Sequence, residues 1–351
     1  MYQYGLIGNC QISALISAQG SLDWLCLPRP DSPPIFGKIL DQEGGQFSIS
    51  ASVPSSETTT TQQYLPNTNI LVTTISLPNG DAFRITDFCP RFLQYGRIYR
   101  PAALFRIVEP LSGSPSVRVC CLPVSGWEKT PVRSVRGSSH LRYDIRGDYL
   151  RLLTNMPLTY LCGETPVLLT SKMYFALTWG LGIEDDLVKV SHEFLDQTTK
   201  YWQTWVKQCS IPVIYQEEVI RSALALKLHC YEDTGAILAA PTTSLPEEPG
   251  GPRNWDYRYC WLRDAHFSLS AFHNLGQFEE MEGFLKFLLN VGYASEQSHD
   301  RLAPVYKLSQ DLPLPETEHA NWQGFLGSRP VRSHNQAAEH VQSDVYGEMI
   351  L

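Results

Sequence analysis

The chain of 351 residues lacks the features that mark membrane, secreted and nucleic-acid-binding proteins. No stretch of about 18 uninterrupted apolar residues is present, which excludes an ordinary membrane-spanning helix. The N-terminus, MYQYGLIGNC, has neither the basic segment nor the apolar core of a secretory signal. No basic cluster occurs, and 36 acidic against 28 basic residues give a net charge of -8. We therefore expect a cytoplasmic protein that binds neither membranes nor nucleic acids.

Motifs for metal binding and for nucleophilic catalysis are also missing. The nine cysteines include no C-x-x-C pair, so we expect reduced thiols, several of them buried as small apolar groups. The nine histidines are scattered, without an H-E-x-x-H motif or a Cys/His ligand spacing. The glycine-rich turns form neither a phosphate loop nor a nucleophile elbow. We expect no metal and no cofactor.

The first half of the chain has the pattern of a β-sandwich. Up to about residue 180, short runs of β-branched and aromatic residues alternate with turn residues. The sequence PNGD at 78–81 indicates a two-residue hairpin turn, and RGD at 146–148 indicates a second tight connection. The predicted strands are 21–27, 70–77, 104–108, 117–122, 140–145 and 149–153.

The second half has helical periodicity. Apolar residues recur at helical spacing over 185–207, 219–230, 265–272, 278–288 and 338–351. Gly276 is a natural stop for the third of these helices. The segments 240–254 and 294–333 are rich in proline and polar residues and too long for simple connectors, so we expect them to carry function.

The segment RNWDYRYCWLRDA at 253–265 is the densest concentration of aromatic and charged residues. In an extended chain, alternate positions share one face, and those positions are aromatic: Trp255, Tyr257, Tyr259 and Trp261. Aromatic faces cover the C–H surface of a sugar ring, while the adjacent Arg263 and Asp264 offer donors and acceptors to its hydroxyls. A carboxylate at this predicted helix start would also cap the helix. The alternative is an aromatic core strand whose charged residues face solvent.

The sequence WDYRYCWLRDA within this segment resembles the signature of the family 15 glycoside hydrolases, which are glucoamylase and trehalase-like enzymes. The N-terminal residues 4–40 resemble the opening of the trehalase-like N-terminal domain, and GFLGSRPVRSHNQAAEHVQSDVYGEMIL at 324–351 resembles a later barrel segment. The resemblance implies a multidomain β + α protein, in which an antiparallel β-sandwich precedes an incomplete (α/α)6 barrel. The expected parts are a sandwich at 1–183, a helical linker at 184–212 and the barrel part at 213–351.

The same resemblance implies inverting hydrolysis of an α-glucosidic bond, at α-glucan ends or in trehalose. One carboxylic acid protonates the leaving oxygen and a second carboxylate, roughly 6.5–9.5 Å away, activates water. By position in the motif, Arg263 and Asp264 grip hydroxyls of the non-reducing sugar. Trp261 and Tyr257 line the same subsite, and Arg332 belongs to the pocket wall.

Two departures from the family pattern qualify this prediction. The family pattern R-I-G-N-x-A with a following Gln is altered here, because Ser333, His334 and His340 depart from it. In addition, neither the general acid nor the general base of the family has a matching position in these 351 residues, which we interpret as a fragment, a truncated gene product or a diverged remnant. The remaining candidate carboxylates are better explained as groups that fix the backbone and neighbouring side chains of the pocket: Asp256, Asp344 and Glu348.

Three hypotheses follow. The leading one is an α-glucoside hydrolase of family 15, of which this chain is the N-terminal part. The second is a non-catalytic carbohydrate-binding or regulatory protein that retains Arg263 and Asp264. The third is an assembly module, a homo-oligomer in which the sandwich contacts other subunits. The choice between trehalose, maltose and longer glucans stays open, because these sugars share the same terminal glucosyl unit.

Overall fold

In the computed structural model, which describes residues 3–162, 165–180, 182–298 and 301–350, the chain divides into two units, Met1–Thr204 and Trp205–Leu351. The division falls inside the predicted linker 184–212. Across the described ranges, none of the helices combines the length and the apolar character needed to cross a membrane.

Short antiparallel strands build the first unit. They form one sheet in the order β1-β2-β3-β5-β12-β16, with β4 on β3, a second sheet in the order β13-β14-β15-β17-β11-β8-β7-β6, and a separate hairpin β9-β10. The strands are β1 (Tyr4–Gly8), β2 (Ser13–Ser17), β3 (Ser21–Cys26), β4 (Pro34–Phe36), β5 (Gln46–Ala51), β6 (Thr59–Tyr64), β7 (Leu71–Ser76), β8 (Ala82–Phe88), β9 (Phe92–Gln94), β10 (Arg97–Tyr99), β11 (Ala103–Ser112), β12 (Ser116–Leu122), β13 (Ser134–Arg136), β14 (His140–Ile145), β15 (Asp148–Thr154), β16 (Val167–Leu168) and β17 (Met173–Trp179).

Alternation of apolar and polar residues explains why the two sheets pack face to face. In β5, Phe47 and Ile49 are fully buried, while Ser48 and Ser50 lie half-buried on the opposite side of the strand. Phe47 and Phe175 come from different sheets, and their rings meet edge to face with centroids 5.9 Å apart. One apolar cluster draws residues from both sheets. The predicted antiparallel β region in the N-terminal half is confirmed.

Both predicted hairpins are present, but the first has a longer turn. Arg146 and Gly147 have φ of 52° and 83° and join β14 to β15 as a two-residue turn. The first hairpin, between β7 and β8, closes over three residues, with Gly80 at φ 88° and its N–H donating to the Leu77 carbonyl at 3.1 Å. The two-residue prediction was wrong because it pairs Pro78 with Asp81, and proline has no N–H to donate; the Leu77 N–H donates to the Asp81 carbonyl instead, at 2.8 Å.

Two helices accompany the sheets, α1 (Leu158–Cys162) and α2 (Leu187–Lys207). The predicted helix 185–207 is confirmed as α2. Phe194 on this helix contacts the ring of Phe92 at 5.0 Å and that of Phe105 at 5.5 Å between centroids. The eight cysteines whose side chains the structure describes are free thiols, and seven of these are buried, as expected.

The second unit is helical, with short paired strands between its helices. The pairs β18-β19, β20-β21 and β22-β23 are each antiparallel. The elements are α3 (Gln216–Lys227), β18 (Cys230–Tyr231), β19 (Ala236–Ile237), β20 (Cys260–Trp261), α4 (Leu262–Asn274), α5 (Phe278–Ser298), β21 (Val305–Tyr306), β22 (Thr317–His319), β23 (Val331–Ser333) and α6 (Asp344–Ile350).

Some predicted helix limits in this unit were wrong. The helix predicted to reach residue 230 ends at Lys227, because Cys230 pairs with Ile237 in a short strand. The helix predicted from residue 338 begins at Asp344, and its predicted end at Leu351 lies outside the described residues. A short 3-10 turn occupies Gln336–Glu339 instead, capped by the Asn335 side chain, which accepts from the Ala337 N–H at 3.0 Å. The predicted stop at Gly276 is confirmed, with φ of 72°.

Candidate functional site

The aromatic segment crosses the second unit as an extended chain that turns directly into a helix. The carbonyls of Tyr257 and Tyr259 accept backbone N–H bonds from Ala240 at 2.9 Å and Ala239 at 3.0 Å. β20 (Cys260–Trp261) continues this path, and α4 begins at the next residue, Leu262. Arg263 and Asp264 therefore lie on the first turn of α4.

The four aromatic side chains do not form one platform. Tyr259 is buried, and its ring stacks on His334 with centroids 6.2 Å apart. Tyr257 is 38% exposed, and its ring lies 6.1 Å from that of Trp261, which is 7% exposed. The platform prediction was therefore wrong for Tyr259, because the chain packs against other backbone on both faces. Tyr257 and Trp261 remain ring neighbours, although Trp261 packs in the same apolar cluster as Tyr259.

The alternative, with the intervening charges in solvent, was wrong as well. Asp256 and Arg258 alternate with the aromatics and are fully buried as an ion pair. Asp256 Oδ1 lies 2.9 Å from Arg258 Nε, and Oδ2 lies 2.6 Å from a terminal guanidinium nitrogen. The same carboxylate accepts the His334 N–H at 3.2 Å, and the Asp256 carbonyl accepts from the Asn335 side chain at 3.0 Å. Asp256 thus fixes backbone near the site, as the sequence led us to expect.

Arg263 is the centre of a half-exposed polar cluster. Its guanidinium carbon lies 5.5 Å from the Trp261 ring centroid, within cation–π range. One terminal nitrogen lies 3.4 Å from Asp344 Oδ2 and donates to Gln342 Oε1 at 3.3 Å, while the other lies 3.7 Å from Asp264 Oδ2. The guanidinium therefore joins the start of α4 to the start of α6, two elements about 80 residues apart in the chain.

Asp264 does not cap α4. The N-cap residue is Trp261, and no side chain accepts a hydrogen bond at that position. The helix begins two residues before Asp264, so the carboxylate lies within the first turn, where it interacts favourably with the positive end of the helix dipole. The Asp264 side chain is 47% exposed and therefore accessible to a ligand.

Tyr257 lies at the exposed side of this cluster, beside Trp261. Burial, followed by the negative charges of Glu247 and Asp264, raises the pKa of its phenol. The hydroxyl is therefore protonated at neutral pH and can donate to a ligand oxygen.

Arg332 lies in a second cluster, built around Asn254 and Trp255. One terminal nitrogen donates to the Asn254 carbonyl at 2.6 Å and to its side-chain oxygen at 3.0 Å, and the guanidinium carbon lies 5.8 Å from the Trp255 ring. Two carboxylates, Glu316 at 3.0 Å and Glu318 at 3.2 Å, neutralise its charge. With the side chain only 13% exposed, these contacts direct Arg332 toward protein acceptors.

His334, one of the departures from the family pattern, occupies a left-handed backbone position. Its φ is 64°, a conformation that glycine adopts without strain, which explains why the family pattern has glycine at this position. Nearby, His319 Nε2 lies 2.8 Å from the Ser333 hydroxyl. Burial, followed by the positive charges of His334 and Arg258, lowers the pKa of His319 to about 4, so its ring is neutral at pH 7.

The contacts of Gln342 and Asp344 with Arg263 were not foreseen. Both residues keep the family pattern, but nothing in local spacing shows that they meet a residue on α4. Together the cluster presents a cation, two carboxylates, an amide and two aromatic rings. That combination of donors, acceptors and flat apolar surface suits a ring that carries several hydroxyls.

Comparisons with known proteins agree with this chemistry. Residues 213–351 match Glycosyl hydrolases family 15, and residues 2–148 match the family Trehalase-like, N-terminal. A trehalase of Mycolicibacterium smegmatis is 32% identical over 375 residues, which cover 99% of this chain and 55% of the trehalase. A trehalase of Thermoplasma volcanium is 31% identical over 356 residues, with coverages of 99% and 55%.

Trehalase 1 of Sulfolobus acidocaldarius is 32% identical over 358 residues, covering 100% of this chain and 59% of the relative. The chain therefore spans a little more than half the length of these relatives.

Proposed function

We propose that the protein acts in the hydrolysis of α-glucosides, with trehalose as the first substrate to test, because residues 213–351 match glycosyl hydrolases family 15. Relatives named trehalase match nearly the whole chain, which supports this choice. We extend the proposal to the architecture, in which the helices of residues 213–351 are part of an (α/α)6 barrel.

The part of the reaction that we assign to these residues is holding the terminal glucosyl unit. The observation that carries this assignment is the half-exposed Arg263 guanidinium, held against Trp261 and between Asp264 and Asp344. Arg263 would donate to two sugar hydroxyls, and Asp264 would accept from one. The rings of Trp261 and Tyr257 would cover the apolar face of the sugar.

Arg332 takes a positioning role in this proposal. Its donors face Asn254 in the aromatic segment, Glu316, and Glu318 on β22. It would hold these parts of the chain together, and its contribution to sugar affinity would be indirect.

Inverting hydrolysis also requires an acid that protonates the glycosidic oxygen and a base that deprotonates the attacking water. We propose that neither group is among these 351 residues. Asp256 is occupied by Arg258 and His334, and Asp344 is paired with Arg263, which supports the exclusion of both. Binding without turnover, the non-catalytic alternative, then becomes a measurable outcome.

The decisive experiment combines calorimetric titration of the protein with trehalose and maltose and an enzyme-coupled assay for released glucose. We expect saccharide binding at the Arg263 cluster, and this component of the titration should be lost in Asp264→Ala. The matched control is Glu217→Ala, which removes an exposed first-turn carboxylate from α3.

Binding with glucose release would support a hydrolase, and binding without release would support the non-catalytic alternative. Absence of binding, or equal binding by Asp264→Ala, would refute the proposal. Sedimentation of the same preparation tests the homo-oligomer hypothesis.

A further inference from the structure

A polar cavity of about 720 Å³ opens on the first unit, in a volume range typical of small-molecule sites. Four of its nineteen lining residues are apolar, and the other fifteen carry hydroxyl, amide or charged groups. The wall includes side chains from two paired strands, Ser21 and Asp23 on β3 and Gln46, Ser48 and Ser50 on β5.

The sheet explains how the cavity forms. Phe47 and Ile49 point into the apolar core, so the alternate residues of β5 lie on the opposite face. Two of these are serines, Ser48 and Ser50, whose small side chains leave room above the strand. A face with this much polar surface does not suit an apolar ligand or a packed apolar partner.

Asp23 is a buried charged group in the wall. Only 4% of the surface of Asp23 is exposed. Its carboxylate accepts two hydrogen bonds, from the Ser21 hydroxyl to Oδ1 at 2.6 Å and from the Tyr4 hydroxyl to Oδ2 at 3.3 Å. Burial raises the pKa of the Asp23 carboxyl, while the Ser21 hydrogen bond and the Lys38 charge act in the opposite direction. A poorly hydrated carboxylate of this kind is stabilised by each further hydroxyl that donates to it.

Three charged residues line the cavity, the buried Asp23 and the cations Lys38 and Arg118, so an anion is disfavoured at the Asp23 wall. A phosphate or carboxylate in this space would face the buried Asp23 charge across a poorly solvated wall. Lys38 is oriented toward a neutral acceptor, because its ammonium donates to Gln46 Oε1. A neutral ligand with many hydroxyls can donate to Asp23 and bond to the amides and serines without that repulsion.

We propose that this cavity binds a neutral saccharide, with Asp23 accepting sugar hydroxyls and Gln46 bonding to a second position. The site lies wholly within the first unit and is distinct from the Arg263 cluster of the second. It is independent of whether the protein hydrolyses its sugar.

The test uses the Asp264→Ala protein, so that binding at the Arg263 cluster does not contribute. Trehalose, maltotriose, sorbitol and inorganic phosphate are titrated separately, with calorimetry for affinity and amide NMR shifts of β5 for location. We expect trehalose or maltotriose to shift the Ser48 and Ser50 amides. Gln46→Ala should weaken binding about tenfold, as expected for one lost hydrogen bond, and Ser50→Leu should abolish it by filling the hollow.

The matched control is Gln63→Ala, an exposed glutamine on β6 that does not line the cavity, and its affinity should equal that of the parent. Circular dichroism establishes that each variant is folded. The proposal is overturned if neither saccharide shifts the β5 amides, if phosphate or sorbitol binds as well as the saccharides, or if folded Ser50→Leu and Gln46→Ala both keep full affinity. If Asp264→Ala binds trehalose as the parent does but Ser50→Leu abolishes binding, the proposed function fails while this site stands.

Discussion

Replacing Arg258 by methionine should be the most destabilising single change near the site. The substitution leaves the Asp256 carboxylate fully buried without its cation, while the two backbone N–H groups of Arg258 and His334 still reach it. Methionine fills much of the same volume, so the loss is mainly electrostatic. Two close contacts disappear, Nε to Oδ1 at 2.9 Å and the terminal nitrogen to Oδ2 at 2.6 Å.

The expected cost is about 3–5 kcal/mol, which is typical when one partner of a buried ion pair is removed. The double variant Asp256→Leu/Arg258→Met should recover more than half of that loss, because it no longer buries a lone charge. The second consequence concerns the site. Because Asp256 anchors His334 and Asn335, Arg258→Met should also weaken the proposed trehalose binding at the Arg263 cluster.

Urea unfolding followed by tryptophan fluorescence measures the stability change, and calorimetry at a temperature where the variant is folded measures the affinity. Arg253→Met is the control, since its ion pair with Glu247 is exposed and its removal should leave the unfolding midpoint unchanged. A midpoint for Arg258→Met within error of the parent would refute the reasoning. So would a double variant less stable than the single one.

Two further predictions concern His319 on β22 and His334, which follows the paired strand β23. The lowered pKa of His319, about 4, means that the unfolded chain takes up a proton below pH ~6.5 while the folded chain does not, so stability should fall as pH drops from 6.5 toward 4. His319→Gln should flatten this part of the curve of urea midpoint against pH, and an unchanged slope would contradict the assignment. His334→Ala should be less stable than His334→Gly by about 1 kcal/mol, because both lose the Tyr259 contact but only alanine keeps the strain of a positive φ. Chemical denaturation of the two variants measures the difference, and equal stabilities would show that the left-handed backbone is relaxed.

The fold was predictable where local pattern and tertiary packing agree. The strands β7 and β14 follow from short runs of β-branched and aromatic residues between turn residues, and in β14 alternate side chains are buried. Helix limits were less predictable. The apolar spacing from residue 338 is helical, yet the Asn335 cap and the extended backbone at His340 end the first turn and delay α6 to Asp344.

In the candidate site too, some features could be predicted from the sequence and others could not. Arg263 and Asp264 could be identified from the motif, since they are neighbours in the chain at a helix start. Burial of the Asp256–Arg258 pair could not be identified, because alternating charges and aromatics in an extended segment are equally consistent with one exposed face. The choice depends on the chain segments that cover the second face, which lie at 239–244 and 331–335.

The sequence by itself determined the antiparallel β character of the first half, the hairpin positions, the approximate positions of most helices in the second half and the family signature. These depend on periodicity, turn chemistry and short motifs, all of which act within a few residues. The tertiary structure decided which groups meet: Arg263 with Asp344, Arg332 with Asn254, and a polar hollow above β5. The physical reason is that such contacts join residues far apart in the chain, whose distance is set by packing rather than by local backbone preference.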